Sequence, residues 1–271
     1  MSEFAKRMLV AAVLIPITIW LTLWDNTIPF AIGLYALIII GSREVYGILK
    51  ASGEDVSPLL SFLGALLIPI CFWLENTWMF FAFVFTGLIF VTFLLKLFSP
   101  NPTEGTIRFI SVNLFGAVFF PFMFSFIWLI RMLPEGALWI FLLFVGIWLS
   151  DGMAYIFGRK LGKHKIVPKV SPKKSLEGFI AGIIFGVGGV VAFYYIMLAA
   201  AAPMGLVKII IIAVDLVIAG ILGDLFESML KRDAGVKDSG KILPGHGGIY
   251  DRVDALIFAA PVLYMYLVAW G

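Results

Sequence analysis

The C-terminal part of the chain carries a polar tract, residues 224–254, between two strongly apolar segments. Its 31 residues hold 11 of the chain's 37 Asp, Glu, Lys and Arg residues. Carboxylates bind hard divalent cations, and lysine and arginine bind phosphate oxygens. Because charge is costly next to a membrane, its concentration here predicts a site that handles phosphates and a metal ion.

Four polar residues before the tract's midpoint share one helical face. Asp224, Glu227, Ser228 and Lys231 are spaced i, i+3, i+4 and i+7. Asp224 lies about 10 Å along the helix from Lys231, at 1.5 Å per residue. An acid at that depth either serves a function or forms a structural pair with a neighbouring lysine. Two further acids at the start of the next apolar segment favour a function.

Those two acids are Asp251 and Asp254, which the i, i+3 spacing places on one face of a first helical turn. Acids in this position can also be simple helix caps. The preceding Pro-Gly-His-Gly-Gly, residues 244–248, contains glycines that let backbone N–H groups turn towards an anion. Three carboxylates without a thiolate cluster indicate magnesium or manganese. His246 is a further candidate for contact with phosphate or ligand.

A second polar constellation begins at Ser150-Asp151, and Tyr155 follows Asp151 at i+4. Seven basic residues lie between 159 and 174, before Ser-Pro-Lys-Lys-Ser-Leu-Glu-Gly at 171–178. Such a loop can be no more than a determinant of membrane topology. Lys173 and Lys174 nevertheless stand where a helix is about to begin, which suits anion capture. Asp215 is out of phase with Asp224, so we expect it to face another helix and serve packing.

The elements that position these residues are membrane helices. With 62% hydrophobic residues and a mean hydropathy of +1.05, the chain is far too apolar for a soluble domain. We predict an all-α polytopic membrane protein whose first helix is retained. The nine predicted spans are 8–24, 28–48, 58–74, 78–98, 107–130, 137–158, 177–201, 206–230 and 252–270.

The basic residues predict the orientation of these spans. With a cytoplasmic N-terminus, 18 of the 20 Lys and Arg residues fall on the cytoplasmic side, and only Arg131 and Lys208 fall outside. The C-terminus is then outside. The basic loops favour anionic lipid, and nothing indicates nucleic-acid binding. The lone Cys71 excludes an intrachain disulfide and a multi-cysteine metal site. The chain divides by character into a three-helix region at 1–76, a two-helix region at 77–135 and a four-helix catalytic region at 136–271.

The tract resembles the sequence pattern of a known family. The run Ser228-x-x-Lys-Arg-x-x-x-x-Lys237-Asp-x-Gly-x-x-x-Pro-Gly-His-Gly-Gly-x-x-Asp251-Arg-x-Asp254 is similar to that of the CDP-diacylglycerol synthases, also called phosphatidate cytidylyltransferases. Ser-Asp-x-x-Ala-Tyr-x-x-Gly-Arg at 150–159 and the segment 171–178 resemble the family's other polar blocks. The motifs cover the C-terminal half, and the first 135 residues are similar only in helical character.

The resemblance implies an enzyme of the bacterial inner membrane that joins CTP to phosphatidate, releases pyrophosphate and faces the cytoplasm. It also implies a homodimer, a polar cavity within helices six to nine, and two metal ions at Asp224, Asp251 and Asp254. One ion would be magnesium, and potassium is the candidate for the other.

We assign expected roles on that basis. Catalysis is assigned to the three aspartates with Lys237 and His246. The expected phosphate-binding residues are Lys173, Lys174, Lys231, Arg232, Gly247, Gly248 and Arg252. The expected supporting residues are Asp151, Tyr155, Arg159, Glu177, Ser228 and Asp238. The attacking phosphate oxygen is already ionised, so no strong general base is required.

Two other function classes fit less well. A CDP-alcohol phosphotransferase requires Asp-Gly-x-x-Ala-Arg and a later Asp-x-x-x-Asp, but Asp151-Gly152 precedes Met-Ala-Tyr-Ile, and two residues separate Asp251 from Asp254. A cation or lipid transporter requires polar groups in both membrane halves, whereas the predicted topology gathers them on one side.

Overall fold

The structure is a computed structural model that describes residues 12, 16–74, 76–242 and 247–270. The described residues are helical and contain no β-strand, only an isolated bridge between Lys165 and Ser175. The helices are α1 (16–23), α2 (Thr27–Ala51), α3 (Pro58–Trp73), α4 (Thr77–Leu97), α5 (Thr106–Arg131), α6 (Gly136–Leu161), α7 (Leu176–Phe193), α8 (Leu206–Asp233) and α9 (Tyr250–Trp270). A π-helical turn, Tyr194–Leu198, follows α7. The predicted all-α membrane fold is confirmed.

Seven of these helices, α2 and α4 to α9, are long and apolar enough to cross a membrane. The exception among the fully described helices is α3, which has 16 residues. Its length is about 24 Å at 1.5 Å per residue, less than a hydrocarbon core of roughly 30 Å. It begins at an N-cap, Ser57, followed by Pro58, and the chain becomes extended at Leu74. The span predicted at 58–74 is therefore a shorter helix, and the one predicted at 8–24 lies partly outside the described residues.

Contacts divide the chain into two units. The first comprises Met1–Trp128 and Leu230–Arg252, and the second comprises Leu129–Met229 and Val253–Gly271. Most of the polar tract therefore groups with the N-terminal helices. The three regions predicted at 1–76, 77–135 and 136–271 stay a prediction.

The first unit is packed through small residues and aromatic rings. Gly41 of α2 lies against the ring of Phe120, and Gly64 of α3 lies against the backbone of Ala117 in α5. A Cβ at either glycine would overlap these neighbours, so both positions require the smallest residue. Phe72 of α3 meets rings of α4 and α5 edge-on.

The second unit is packed by close approaches of α6, α7, α8 and α9. Gly186 of α7 lies against Ser150 of α6 and Val217 of α8, and Gly223 of α8 lies against the backbone of Asp254 in α9. Small residues allow such approaches between membrane helices, where dispersion contacts provide much of the packing energy. The part of α8 that precedes Asp224 is therefore held between α7 and α9.

Candidate functional site

Lys174 is positioned by the folded start of α7. Ser175 is the N-cap of that helix, and its side chain accepts a hydrogen bond from the Gly178 N–H at 3.3 Å. The preceding loop returns to the same point, because the Leu176 N–H donates to the His164 carbonyl at 2.8 Å. A capped helix start and a backbone clasp together fix where the chain leaves the basic loop. The backbone position of Lys174 is therefore fixed by the residues that directly follow it, Ser175 and Leu176.

An Asp224 cluster forms in the second unit from Asp151, Lys174, Asp224 and Ser228. The Lys174 ammonium lies 2.8 Å from Oδ2 of Asp224, with the two side chains 28% and 32% exposed. The Ser228 hydroxyl lies 3.4 Å from Oδ1 of Asp224, and Asp151 is close enough to interact electrostatically with Asp224 and Lys174. The lysine pairing that a purely structural Asp224 would make is thus present. A structural pair would not need a second carboxylate, so the presence of Asp151 favours a functional role.

The other polar residues of this unit form pairs of their own. Glu177 accepts from Nδ1 of His164 at 2.7 Å and from the His164 backbone N–H. His164 was not among the predicted site residues, because a lone histidine in a basic loop has no distinguishing pattern. Arg159 donates to the Tyr155 hydroxyl at 3.3 Å, and both side chains are exposed. These contacts order the ends of the loop between α6 and α7.

Asp215 accepts a hydrogen bond from the Tyr266 hydroxyl of α9. The expectation that Asp215 faces another helix is confirmed.

An Asp251 cluster forms in the first unit around the start of α9. The Lys231 ammonium lies 2.6 Å from Oδ1 of Asp251, and the side chains are only 14% and 8% exposed. Oδ2 accepts from the Ser239 N–H, the Ser239 hydroxyl and the Gly248 N–H, all within 2.9 Å. A buried carboxylate is stable only when it is paired and hydrogen-bonded in this way. Asp251 is therefore both a charged partner of Lys231 and a structural clasp for the tract.

Glu44 of α2 completes the Asp251 cluster and was not predicted. Its carboxylate accepts from the backbone N–H groups of Ile249 and Tyr250 at 3.0 and 2.8 Å. It also accepts from the Ser239 hydroxyl at 3.0 Å. One signal in the sequence could have found it, because an acid inside an otherwise apolar span is a candidate for function by default.

Backbone donors at the start of α9 face protein carboxylates in this arrangement. The Gly248 N–H is taken by Asp251, and the next two by Glu44. Gly247 adopts a left-handed φ of 79°, which favours glycine. The tract therefore does contain an anion-binding turn, and in the structure its anions are side chains. Phosphate contact by Gly247 and Gly248 stays a prediction.

The remaining predicted residues surround these clusters in the sequence. Asp254 stands one turn after Asp251 on α9, and its Oδ1 accepts from the Ala255 N–H at 2.8 Å. The side chains exposed to the surroundings are Lys173, Arg232, Lys237, Asp238 and Arg252. His246 lies outside the described residues.

The carboxylates fit magnesium by their chemistry. Within the described ranges, no group of three or more His, Cys, Asp and Glu side chains is arranged to hold a metal ion. Magnesium commonly uses one or two protein carboxylates and takes its other ligands from water and substrate phosphates. Asp224 and Asp251 each already face a cationic ammonium, at 2.8 and 2.6 Å. Both are therefore positions at which the protein stabilises positive charge.

Comparison with known proteins gives one consistent result. A model of the cytidylyltransferase family matches residues 5–270. The phosphatidate cytidylyltransferase of Bacillus subtilis is 34% identical over 276 residues, which cover 98% of each chain. The proteins of the same name from Staphylococcus saprophyticus and Aquifex aeolicus are 44% and 35% identical over 144 and 152 residues, about half the length of each chain.

Proposed function

The chain belongs to the cytidylyltransferase family, and on that premise we propose that it makes CDP-diacylglycerol and pyrophosphate from CTP and phosphatidate. The observation that carries this proposal is the similarity to a phosphatidate cytidylyltransferase over 98% of both chains. A membrane enzyme suits this reaction, because the lipid substrate can keep its acyl chains in the bilayer while its head group reacts.

The reaction sets a clear electrostatic requirement. A phosphate oxygen of phosphatidate attacks the α-phosphorus of CTP, a new P–O–P bond forms, and the bond to the β-phosphate breaks as pyrophosphate leaves. Phosphatidate carries roughly −1.5 to −2 charges near neutral pH, as phosphate monoesters do, and the triphosphate is also an anion. The site must therefore neutralise charge and align two substrates, which are the main tasks in phosphoryl-type transfer.

Two lysines are prepared for this task by their aspartates. Lys174 forms an ion pair with Asp224, and Lys231 forms one with Asp251, so each ammonium is held in position. Positioned charges of this kind stabilise a transition state without reorganising as the reaction proceeds. The exposed Lys173, Arg232, Lys237 and Arg252 are proposed as further phosphate contacts.

We propose Asp224, Asp251 and Asp254 as magnesium ligands, with potassium as the candidate second ion. Bound magnesium would neutralise triphosphate oxygens and the charge that develops on departing pyrophosphate. The protein's part is to present the carboxylates in fixed orientations. Ser228 orients Asp224 and the Ser239–Gly248 donors orient Asp251.

The protein is a multi-pass membrane protein, and we place its site on the cytoplasmic side of the bacterial inner membrane. The distribution of basic residues supports that side. CTP is a water-soluble nucleotide, so a site open to the cytoplasm has direct access to it. We also propose that the enzyme acts as a homodimer in contact with membrane lipid.

The decisive experiment is a transfer assay with the purified protein in phosphatidate-containing micelles. With labelled CTP and magnesium, we expect the label to enter a lipid-soluble product and pyrophosphate to appear in equal amount. ATP in place of CTP should give no such product. Label entering lipid without added phosphatidate, or none entering with both substrates present, would overturn the proposal.

A further inference from the structure

Glu44 is an acid of the N-terminal half that is buried against the polar tract. Glu44 is only 5% exposed, and it lies on α2, which is long and apolar enough to cross a membrane. The three hydrogen bonds that it accepts come from positions 195 to 206 residues away in the sequence. A buried ionisable group is retained in a membrane helix only when its surroundings compensate for burial. The tract supplies that compensation.

The contacts make Glu44 a helix cap contributed by another helix. Ile249 and Tyr250 provide N–H groups at the start of α9, where a helix needs hydrogen-bond acceptors from outside its own ladder of hydrogen bonds. A carboxylate at this end also interacts favourably with the helix dipole. Glu44 therefore fixes the direction in which α9 begins, one residue before Asp251.

Two glycines of the tract provide the room for this carboxylate. A Cβ on Gly240 or Gly248 would overlap with the carboxylate oxygens of Glu44. At Gly248 the added carbon would also overlap with the Ser239 hydroxyl. The close approach of the Glu44 carboxylate therefore explains why both positions are glycine.

Ser239 connects Glu44 to the predicted metal ligand. Its hydroxyl lies 3.0 Å from Oε2 of Glu44 and 2.9 Å from Oδ2 of Asp251. The hydroxyl has one hydrogen, so it donates to one carboxylate at a time, and its oxygen also accepts from the Asp251 backbone N–H at 3.3 Å. Asp251 in turn holds Lys231 at 2.6 Å. A continuous chain of contacts thus runs from α2 to a lysine assigned to phosphate binding.

We propose that Glu44 is a positioning residue for the transfer reaction. It acts through Ser239 and the first turn of α9 to set the Asp251–Lys231 pair, and it gives α2 a part in a site whose sequence motifs all lie in the C-terminal half. This inference rests on the proposed function.

The primary test compares Glu44→Gln with Ser42→Ala. Glutamine keeps the size of the side chain, but its amide group would face a backbone N–H that now donates to a carboxylate oxygen. We expect kcat to fall by at least about tenfold while KM for CTP stays within about threefold. Ser42 is buried on the same helix, and among the described residues its hydroxyl has no hydrogen-bond partner. Its alanine variant should keep the wild-type kcat.

A double-mutant cycle separates positioning from general stability. Kinetics are measured well below the melting temperature of every variant, so that each is fully folded. If the chain of contacts is right, Ser239→Ala also lowers kcat, and the double variant is no worse than Glu44→Gln within about twofold. Losses that multiply independently, or a folded Glu44→Gln with wild-type kcat, would overturn the proposal.

Two further outcomes are distinguishable. An inactive wild-type protein refutes the proposed function and leaves Glu44 to be judged by hydrogen exchange, in which Glu44→Gln should unprotect residues 247–253 more than Ser42→Ala does. If Glu44→Gln fails to fold, Glu44→Asp, which keeps the charge but shortens the reach, takes its place in the cycle with the same expected result.

Discussion

Lys231 near the end of α8 and Asp251 at the start of α9 are joined by a 2.6 Å ion pair across 20 positions of the polar tract. The pair closes the tract into a loop, and both side chains are largely buried. Pairs of this kind behave differently from surface salt bridges, because removing one partner leaves a charge with less compensation in a poorly solvated place. The pair should therefore affect both stability and activity.

Replacing Lys231 tests both effects. Lys231→Met keeps the side-chain volume but removes the ammonium from Asp251. We expect the melting temperature in detergent to fall, with a cost of up to about 3–5 kcal/mol for a buried pair, and turnover to fall by at least about a hundredfold. Lys160→Met, at an exposed lysine with no assigned role, is the matched control. Equal activity in the two variants would exclude Lys231 from phosphate binding.

Asp251→Asn separates charge from hydrogen bonding at the same position. An asparagine can keep its carbonyl oxygen where Oδ2 accepts from Ser239 and Gly248, but its amide group would then face the Lys231 ammonium. We expect turnover to fall by at least about a hundredfold while the protein stays folded with a lower melting temperature. The transfer assay and a thermal melt measure these together. A fully active variant would refute the metal assignment at Asp251.

Metal dependence is tested by chelation and titration. EDTA should abolish product formation and added magnesium should restore it. Asp224→Asn should raise the magnesium concentration for half-maximal activity by about tenfold or more, because one charged ligand is lost. Asp215→Asn is the control, since Asp215 is on the same helix but is hydrogen-bonded to Tyr266. A shift in the control as large as that in Asp224→Asn would show a general electrostatic effect.

Acid pH should weaken the ion pair between Glu54 and Arg108, which belong to the N-terminal half of the chain. Arg108 donates to both carboxylate oxygens of Glu54, and this hydrogen bonding holds the pKa of Glu54 below its usual range. A depressed folded-state pKa gives a contribution that is present above the unfolded pKa and lost as the pH falls through the folded one. The melting temperatures of the wild type and Glu54→Gln should therefore differ most near neutral pH and converge in acid. A constant difference across that range would contradict the assignment.

The sequence predicted the helices well and the internal contacts of the site only in part. Hydropathy and helix breakers place α4 to α9 close to their observed ends, because membrane burial imposes long apolar segments. The i, i+4 spacing of Asp224 and Ser228 predicts a shared helical face, and the two side chains are in contact at 3.4 Å. The contact of Glu44 with the tract was out of reach, since hydrogen bonds between positions about 200 residues apart leave no local periodicity. For the same reason the sequence predicts that the glycines before α9 bind phosphate. It does not reveal that Asp251 and Glu44 accept hydrogen bonds from the N–H groups of residues 248–250.

Gly248→Ala tests whether the tract depends on the close fit around Glu44. The added methyl group would meet the Ser239 hydroxyl and the Glu44 carboxylate, and neither can withdraw without breaking a hydrogen bond to the start of α9. We expect a destabilisation of about 1–3 kcal/mol, typical of overpacking, and a loss of turnover that resembles that of Glu44→Gln. Gly188→Ala is the matched control, because a methyl group there meets open space and alanine favours a helix over glycine. In the combined variant Gly248→Ala/Glu44→Ala, the shortened side chain removes the overlap with the Glu44 carboxylate but leaves the overlap with the Ser239 hydroxyl, so the added stability cost of the alanine at 248 should become smaller. If that cost persists in full, the fit around Glu44 is not what requires glycine at this position.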